Sequence, residues 1–216
     1  ALGIEVPGIT INRYCASGLE SIAMATAKIR TGMADCIIAG GTESMSMVPT
    51  AGWKTVPAYS IAEQDPDYYL SMGLTAEAVA NEYKISREDQ DAFALSSHQK
   101  AKHAIDNGYF KKGILPIEVQ ENYINEKNKK ATRSYIVDTD EGVRADTTME
   151  ALAKLKPAFA LKGSVTAGNS SQTSDGASFV MVMSESLMKS LGLQPIGRLV
   201  NCASAGVHPR VMGIGP

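Results

Sequence analysis

One cysteine near the start of the chain is the best candidate for a nucleophile. Cys15 lies in the segment NRYCASG (residues 12–18), after an apolar, β-rich run (9–11) and before a small-residue helical run (19–30). This order places its thiol at a strand-to-helix turn, where unpaired N–H groups and a partial positive charge favour the nucleophilic thiolate. The alternative is a buried, inert thiol, because free cysteine is among the most often buried residue types.

The other thiols and imidazoles lack the spacing of a metal site. Cys36 falls in an apolar run and is predicted to be a core residue, and Cys202 is expected to serve packing. His98 and His103 are five residues apart in a predicted helix, so they do not share a face as a metal pair at spacing four does. We interpret both histidines as surface or packing residues and predict no metal site.

The chain resembles the thiolases, the acetyl-CoA C-acyltransferases that cleave or form 3-ketoacyl-CoA, in four ordered stretches. These are NRYCASGLESIA, DCIIAGGTESMSMVP, SMGLTAE and SVTAGNSSQTSDGAS, and the resemblance covers essentially the whole chain. It implies that Cys15 attacks the 3-keto carbon and holds the shortened acyl group as a thioester until free coenzyme A removes it. It implies no permanently bound cofactor, because coenzyme A and acyl-CoA are substrates.

The same resemblance implies five contacts with coenzyme A. Met72 matches a position that lines the acyl and pantetheine channel, and Arg144 matches an arginine beside the adenine and phosphate end. Ala167, Gly168 and Ser171 match contacts with pantetheine, in a turn whose small residues let a narrow ligand lie against the backbone. The alternatives are a core methionine, a surface arginine and a plain turn before a buried helix. A phosphate-binding P-loop is not among the motifs of this sequence.

One departure from the family pattern bears on the type of thiolase. Many biosynthetic acetoacetyl-CoA thiolases have a histidine just before the methionine at position 72, where this chain has Ser71. This favours the degradative, β-oxidation type over an acetoacetyl-CoA-forming enzyme. A ketoacyl synthase is disfavoured by the SMGLTAE and GNSSQTSDGA stretches, and a non-catalytic coenzyme A or lipid-binding module remains an alternative if the chain is naturally this short.

The elements that must position these residues predict an α/β protein. The helix over 19–30, stopped by Gly32, precedes an apolar strand over 35–41, and a second apolar strand covers 179–183. Continuous apolar strands beside helices favour a parallel sheet covered on both faces. The predicted fold is thiolase-like, a layered α-β-α arrangement with a parallel-rich mixed sheet and an inserted α+β loop domain.

The predicted domains follow changes of texture along the chain. Residues 1–44 form the N-terminal half core with the nucleophile, 45–173 the loop domain that binds coenzyme A and the acyl chain, 174–195 the return to the core, and 196–216 the start of the C-terminal half, with a strand over 196–203. The loop domain is predicted to hold a helix that follows from the stretch 68–77 and ends at about Tyr83, a helix from the cap Ser86 to Asn107, and a helix over 149–155. Its predicted strands cover 114–121 and 135–138.

A charged connection lies between those two strands, at residues 126–133. We favour a solvated hairpin over the alternative that it attracts the 3′-phospho-ADP end of coenzyme A.

Composition excludes several other classes. The net charge of −2, with 44% hydrophobic residues, is ordinary for a globular protein and gives no sign of a nucleic-acid partner or a membrane span. The odd cysteine count favours free thiols in a reducing compartment, which we predict to be the cytoplasm of a bacterium or, in a eukaryote, an organelle matrix.

The ends predict that the chain is a piece of a larger thiolase, which the resemblance implies to be a homodimer or homotetramer. The family's Asn-Glu-Ala-Phe, Gly-His-Pro and Cys-x-Gly segments are not in this sequence, so we expect the 216 residues alone not to turn over.

Overall fold

The computed structural model describes residues 2–49 and 52–215. Its α-helices are α1 (Ser17–Arg30), α2 (Tyr59–Gln64), α3 (Met72–Glu82), α4 (Arg87–Asp106), α5 (Met149–Ala153) and α6 (Glu185–Ser190); its strands are β1 (Cys36–Ser44), β2 (Ile117–Ile124), β3 (Lys130–Val137) and β4 (Asp175–Met183). Short 3₁₀ helices cover Pro66–Tyr69 and Pro209–Ile214. These elements divide into two compact units. The first unit contains the described residues up to 56 together with 173–206, and the second contains 57–172 with 207–215.

The first unit is a helix on a two-stranded sheet. Strands β1 and β4 are antiparallel, from Cys36 opposite Met183 to Ser44 opposite Asp175. Helix α1 contacts β1, where Ala25 and Ala39 are buried and the Ser21 hydroxyl donates to the Gly40 carbonyl at 3.2 Å. These small residues let the helix lie close to the strand.

The strand pairing corrects the expectation of parallel, fully covered strands. The chain leaves β1 at Ser44 and enters β4 at Asp175, directly opposite. Because β1 ends where β4 begins, the two strands run in opposite directions. In the described ranges each of these two strands pairs only with the other, which leaves Phe179 and Met181 more than half exposed. Sheet faces that contact only one helix remain open to solvent.

Several local predictions for this unit also need correction. Cys36, expected in the core, is exposed, because its strand is covered on little of its surface. Cys202, expected to pack, is exposed as well, and the predicted strands over 9–11 and 196–203 are irregular segments. Gly32 does end α1, with the left-handed φ of 73° that favours glycine.

The second unit is built on the capped helices α3, α4 and α5. The hydroxyls of Ser71, Ser86 and Thr148 cap their N-terminal N–H groups, and of these the cap at Ser86 was predicted. Helix α4 ends before Gly108, as predicted. Its small core contains Ala80, Leu152, Val165 and Val211. The cap chemistry explains why the helix boundaries of this unit follow closely from sequence.

The β2–β3 hairpin belongs to this second unit, but β2 lies further along the chain than the predicted 114–121, and β3 begins earlier than the predicted 135–138. Its strands pair in register from Ile117 opposite Val137 to Ile124 opposite Lys130. Half of the charged connection therefore belongs to β3, and the turn is confined to residues 125–129, where the Asn125 side chain accepts the N–H groups of Lys127 and Lys129 at 3.0 Å each. This asparagine-centred turn sets the strand ends that alternation alone misplaced.

Among residues 2–49 and 52–215, no helix is both long and apolar enough to cross a bilayer. The same residues contain no cluster of three or more side chains able to hold a metal ion.

Candidate functional site

Cys15 lies one residue before the cap of helix α1, with its side chain exposed. The cap residue is Ala16, which has no polar side chain to satisfy the first N–H groups of the helix. Tyr14, immediately before the cysteine, takes a left-handed φ of 48°, which turns the chain sharply at this point. The thiol is therefore presented at a helix N-terminus that keeps free hydrogen-bond donors.

Two polar side chains organise this turn. The Asn12 side chain accepts the Tyr14 N–H at 2.8 Å, and the Ser17 hydroxyl accepts the Arg13 N–H at 2.8 Å while donating to the Tyr14 carbonyl at 2.7 Å. An ion pair between Arg13 and Glu20 ties the turn to the first turns of the helix. The NRYCAS segment thus holds Cys15 by local hydrogen bonds, which is why sequence could place it.

The turn at residues 163–171, in the second unit, contains three of the predicted coenzyme A contacts. Ala167 and Ser171 are exposed, and Gly168 is half-buried. A Cβ added at Gly168 would lie 2.5 Å from Leu155 Cδ1 and 2.6 Å from Leu152 Cδ2, so a side chain here would displace both leucines. Glycine therefore lets the backbone of the turn lie close to these two side chains.

A buried carboxylate from α3 holds the start of this turn. Glu77, only 6% exposed, accepts the Ser164 N–H at 3.0 Å with both oxygens and the Val165 N–H at 2.9 Å. A Cβ at Gly163 would lie 2.1 Å from the nearer Glu77 oxygen, so this glycine admits the carboxylate. Sequence reasoning missed Glu77, because one glutamate in a helix carries no signal of burial.

A second buried carboxylate, from α4, holds the end of the turn. Asp91 is 2% exposed and accepts hydrogen bonds from Arg87 Nε at 2.7 Å and from the Asn169 amide at 2.9 Å. The side-chain amide oxygen of Asn169 accepts the Thr166 N–H at 2.7 Å. Two helices therefore hold the turn from both ends through acidic side chains.

Arg144 lies at an open cleft of about 260 Å³ beside α4. Its backbone N–H donates to His98 Nδ1 at 3.2 Å, and its side chain is exposed. Residues that line the cleft include His98, Lys102, His103, Arg144 and Thr147. Sequence reasoning assigned His98 and His103 to the surface or to packing and missed that both line a cleft with Arg144. The spacing of residues within a helix does not indicate which loop packs beside it.

Met72 is the first residue of α3 and is 56% exposed, so it is not a core methionine of its unit. Ser71, whose identity favoured the degradative type, caps the same helix by accepting the Leu74 N–H. Together these placements put Arg144, Met72 and the 163–171 turn in the second compact unit and Cys15 in the first.

Arg133 in the hairpin is engaged by its neighbours. Its guanidinium lies 2.7 Å from the Glu121 carboxylate and 5.5 Å and 5.6 Å from the ring centroids of Tyr123 and Tyr135. The hydrogen bond and charge of Glu121 raise the pKa of Arg133. This cation is already paired, so the hairpin offers less free positive charge than its sequence suggested.

Comparison with solved structures defines the class of protein by its fold. The crystal structure of the dimeric peroxisomal thiolase of Saccharomyces cerevisiae superposes with a TM-score of 0.80 at 36% identity, over 94% of this chain and 50% of that one. The predicted thiolase-like α/β class is confirmed.

The family follows from sequence comparison. Residues 1–186 match the family described as thiolase, N-terminal domain, and the chain belongs to the thiolase family. It is 54% identical over 215 residues to the 3-ketoacyl-CoA thiolase of Bacillus subtilis, covering all of this chain and 55% of that protein. It is 44% identical to the acetyl-CoA acetyltransferase of Pseudomonas aeruginosa, covering 56% of that protein. The chain thus spans about half the length of the curated relatives it matches.

Proposed function

We propose that the protein is an acyltransferase that cleaves 3-ketoacyl-CoA with coenzyme A, giving acetyl-CoA and a shortened acyl-CoA. The observation that carries the proposal is the exposed Cys15 thiol at the uncapped N-terminus of α1, in a chain that belongs to the thiolase family. A thiol in such a position is suited to form a covalent acyl intermediate, because it is open to a substrate and cysteine is an intrinsically strong nucleophile.

The proposed reaction has two halves. The Cys15 thiolate attacks the 3-keto carbon, the bond between C2 and C3 breaks, and acetyl-CoA leaves as an enolate that takes up a proton. The acyl group stays on the Cys15 sulfur as a thioester. The thiolate of free coenzyme A then attacks this thioester and regenerates the Cys15 thiolate. Splitting the reaction across a covalent intermediate replaces one difficult step by two easier ones.

We propose two coenzyme A subsites in the second unit. The pantetheine arm lies along the Ala167–Gly168 backbone near Ser171, and Met72 lines the acyl channel. The adenine and phosphate end lies in the cleft at Arg144, whose guanidinium can pair with phosphate and stack on adenine. Lys102 in the same cleft is paired with Asp106, so Arg144 is the cation we assign to the ligand.

The test is acylation of the native protein by acetyl-CoA, followed by intact mass and peptide mapping. We expect an acetyl adduct on Cys15 and its complete loss in Cys15→Ala, with coenzyme A binding retained. Cys36→Ala and Cys202→Ala are matched controls, because both thiols are also exposed, and each should keep the adduct. An adduct that survives in Cys15→Ala, or that maps to either control cysteine, contradicts the assignment.

The biosynthetic direction is the second candidate, because the relatives carry both kinds of name. We favour the degradative type on Ser71, which stands where many biosynthetic enzymes have histidine. Thiolysis assays with 3-ketoacyl-CoA substrates of increasing chain length distinguish the two, since an enzyme restricted to acetoacetyl-CoA contradicts our choice. Coenzyme A binding without any acyl adduct would instead identify a non-catalytic binding module.

We further propose that the protein is a homodimer or homotetramer located in the cytoplasm. The solved yeast relative is described as dimeric, and both bacterial relatives compared above are more similar to this chain than the yeast protein is. Light scattering on the native protein measures the oligomeric state, and a monomer contradicts this part of the proposal.

A further inference from the structure

The turn that contains Ala167 and Gly168 is held by buried charge rather than by apolar packing alone. Thr166, at its centre, is fully buried; its hydroxyl accepts the Gly168 N–H at 3.2 Å, and its carbonyl accepts the Ser170 hydroxyl at 2.6 Å. Burying a carboxylate costs free energy unless hydrogen bonds compensate it, and Asp91 lies 2% exposed beneath this turn. A costly group in such a place calls for an explanation beyond stability.

Asp91 determines which way the Asn169 amide faces. The amide NH₂ donates to Asp91 at 2.9 Å and to the Ser164 carbonyl at 3.2 Å, which leaves the amide oxygen directed at the Thr166 N–H, 2.7 Å away. In the opposite orientation, the Asn169 NH₂ group would face the Thr166 N–H, and the amide oxygen would face the Asp91 carboxylate. The charge on Asp91 therefore selects one orientation and, through it, the backbone position of the two residues between Thr166 and Asn169.

The same carboxylate also fixes the opposite wall of the turn. Arg87, paired with Asp91 at 2.7 Å, donates to the carbonyls of Leu152 and Leu155 at 2.6 and 3.1 Å. The side chains of these two leucines are the atoms that a Cβ at Gly168 would meet. One ion pair thus connects the Asn169 side of the turn with the α5 side, and the Gly168 backbone is held between them.

We propose that Asp91 is a positioning residue for coenzyme A, acting through Asn169 and Arg87 to hold the Ala167–Gly168 backbone where the pantetheine arm binds. This inference rests on the proposed function, because it takes that backbone as the pantetheine contact. Asp91 itself touches no substrate, since it is buried beneath the turn. Its effect is therefore expected on the binding of ligands that contain pantetheine.

The test uses Asn169→Asp and a reciprocal exchange. In Asn169→Asp one oxygen still accepts the Thr166 N–H. The other oxygen now faces the Asp91 carboxylate, where the amide donated at 2.9 Å, and the repulsion between the two carboxylates displaces the turn. In Asp91→Asn/Asn169→Asp an amide again donates to a carboxylate, with the charge moved to position 169. We expect the single variant to bind coenzyme A about tenfold more weakly or worse, and the exchange to recover most of this loss.

The control ligand is adenosine 3′,5′-bisphosphate, which carries the adenine and phosphate end of coenzyme A without pantetheine. Its affinity should be the same in the wild type, Asn169→Asp and the exchange variant, because the Arg144 cleft lies apart from the turn residues. Calorimetry with both ligands on the native protein gives the comparison. If Asn169→Asp does not fold, Asp91→Asn, which keeps an amide–amide hydrogen bond, should show the same selective loss at smaller size.

Three outcomes contradict the proposal. Unchanged coenzyme A affinity in Asn169→Asp shows that the amide does not position the ligand. An equal loss for both ligands, with a fall in melting temperature and no recovery in the exchange variant, shows a purely structural pair. If the wild-type protein binds no coenzyme A, the proposed function is wrong, and this inference is wrong with it. If the wild type binds coenzyme A and only the variants behave against expectation, the inference about Asp91 is wrong while the proposed function stands.

Discussion

Replacing Glu77 by glutamine tests how strongly a buried carboxylate holds the 163–171 turn. The two oxygens accept the Ser164 N–H at 3.0 Å each, the Val165 N–H at 2.9 Å and the Ser164 hydroxyl at 3.2 Å. Glutamine keeps one oxygen, which can still serve both N–H groups. Its NH₂ group can donate only to the Ser164 hydroxyl. One charge-assisted acceptor is therefore lost, and the remaining hydrogen bonds are made to an uncharged amide.

The expected cost follows from these contacts. A hydrogen bond to a charged group contributes about 1.5–3 kcal/mol, so Glu77→Gln should lower the free energy of unfolding by about 2 kcal/mol. Glu77→Ala removes every acceptor and leaves two N–H donors unpaired at a mostly buried place, for a loss of about 4 kcal/mol. Because Glu77 is 6% exposed, solvent cannot replace these bonds without opening the turn.

Urea unfolding followed by far-ultraviolet circular dichroism measures both losses. The matched control is Glu82→Gln, the same change at an exposed position at the end of the same helix, which should alter stability by less than about 0.5 kcal/mol. If Glu77→Gln costs no more than Glu82→Gln, the turn does not depend on the carboxylate and our reasoning is wrong.

Two further predictions concern charge. Arg144→Ala should weaken adenosine 3′,5′-bisphosphate binding about tenfold in calorimetry while leaving acetylation at saturating acetyl-CoA intact, and an unchanged affinity would remove Arg144 from the ligand site. The hydroxyl and N–H of Ser46 lower the pKa of Asp175 below its ordinary value of 3.8, so this contact stabilises the fold above that pH and is lost as the pH falls through the lowered pKa. Ser46→Ala should raise the Asp175 pKa in a carbon-detected NMR titration, and no change would mean that the hydrogen bond does not persist in solution.

The helices of the second unit and the Cys15 turn were predictable because their signals are local. Ser86 and Gly108 enclose α4 as cap and stop, and the segment around Cys15 makes its hydrogen bonds within a few residues. The hairpin ends were less predictable, since the Asn125 side chain, not alternation, sets the turn.

The network beneath the 163–171 turn could not be predicted, because its partners are far apart in the chain. Glu77 accepts hydrogen bonds from Ser164 and Val165, which lie 87 and 88 positions further along the chain. Asp91 accepts one from Asn169, which lies 78 positions further along. In the sequence both are ordinary helical acids, indistinguishable from their exposed neighbours. The burial of each follows only when its helix packs under the turn.

The sequence by itself determined the thiolase family, the candidate nucleophile and the Ser86 cap of α4, since each rests on residues close together in the chain. Only the tertiary structure decided the antiparallel direction of β1 and β4, the exposure of Cys36 and the neighbourhood of His98 and Arg144. Strand direction depends on where a long excursion returns, and the exposure of a side chain depends on what covers it. Neither property is contained in any short stretch of sequence.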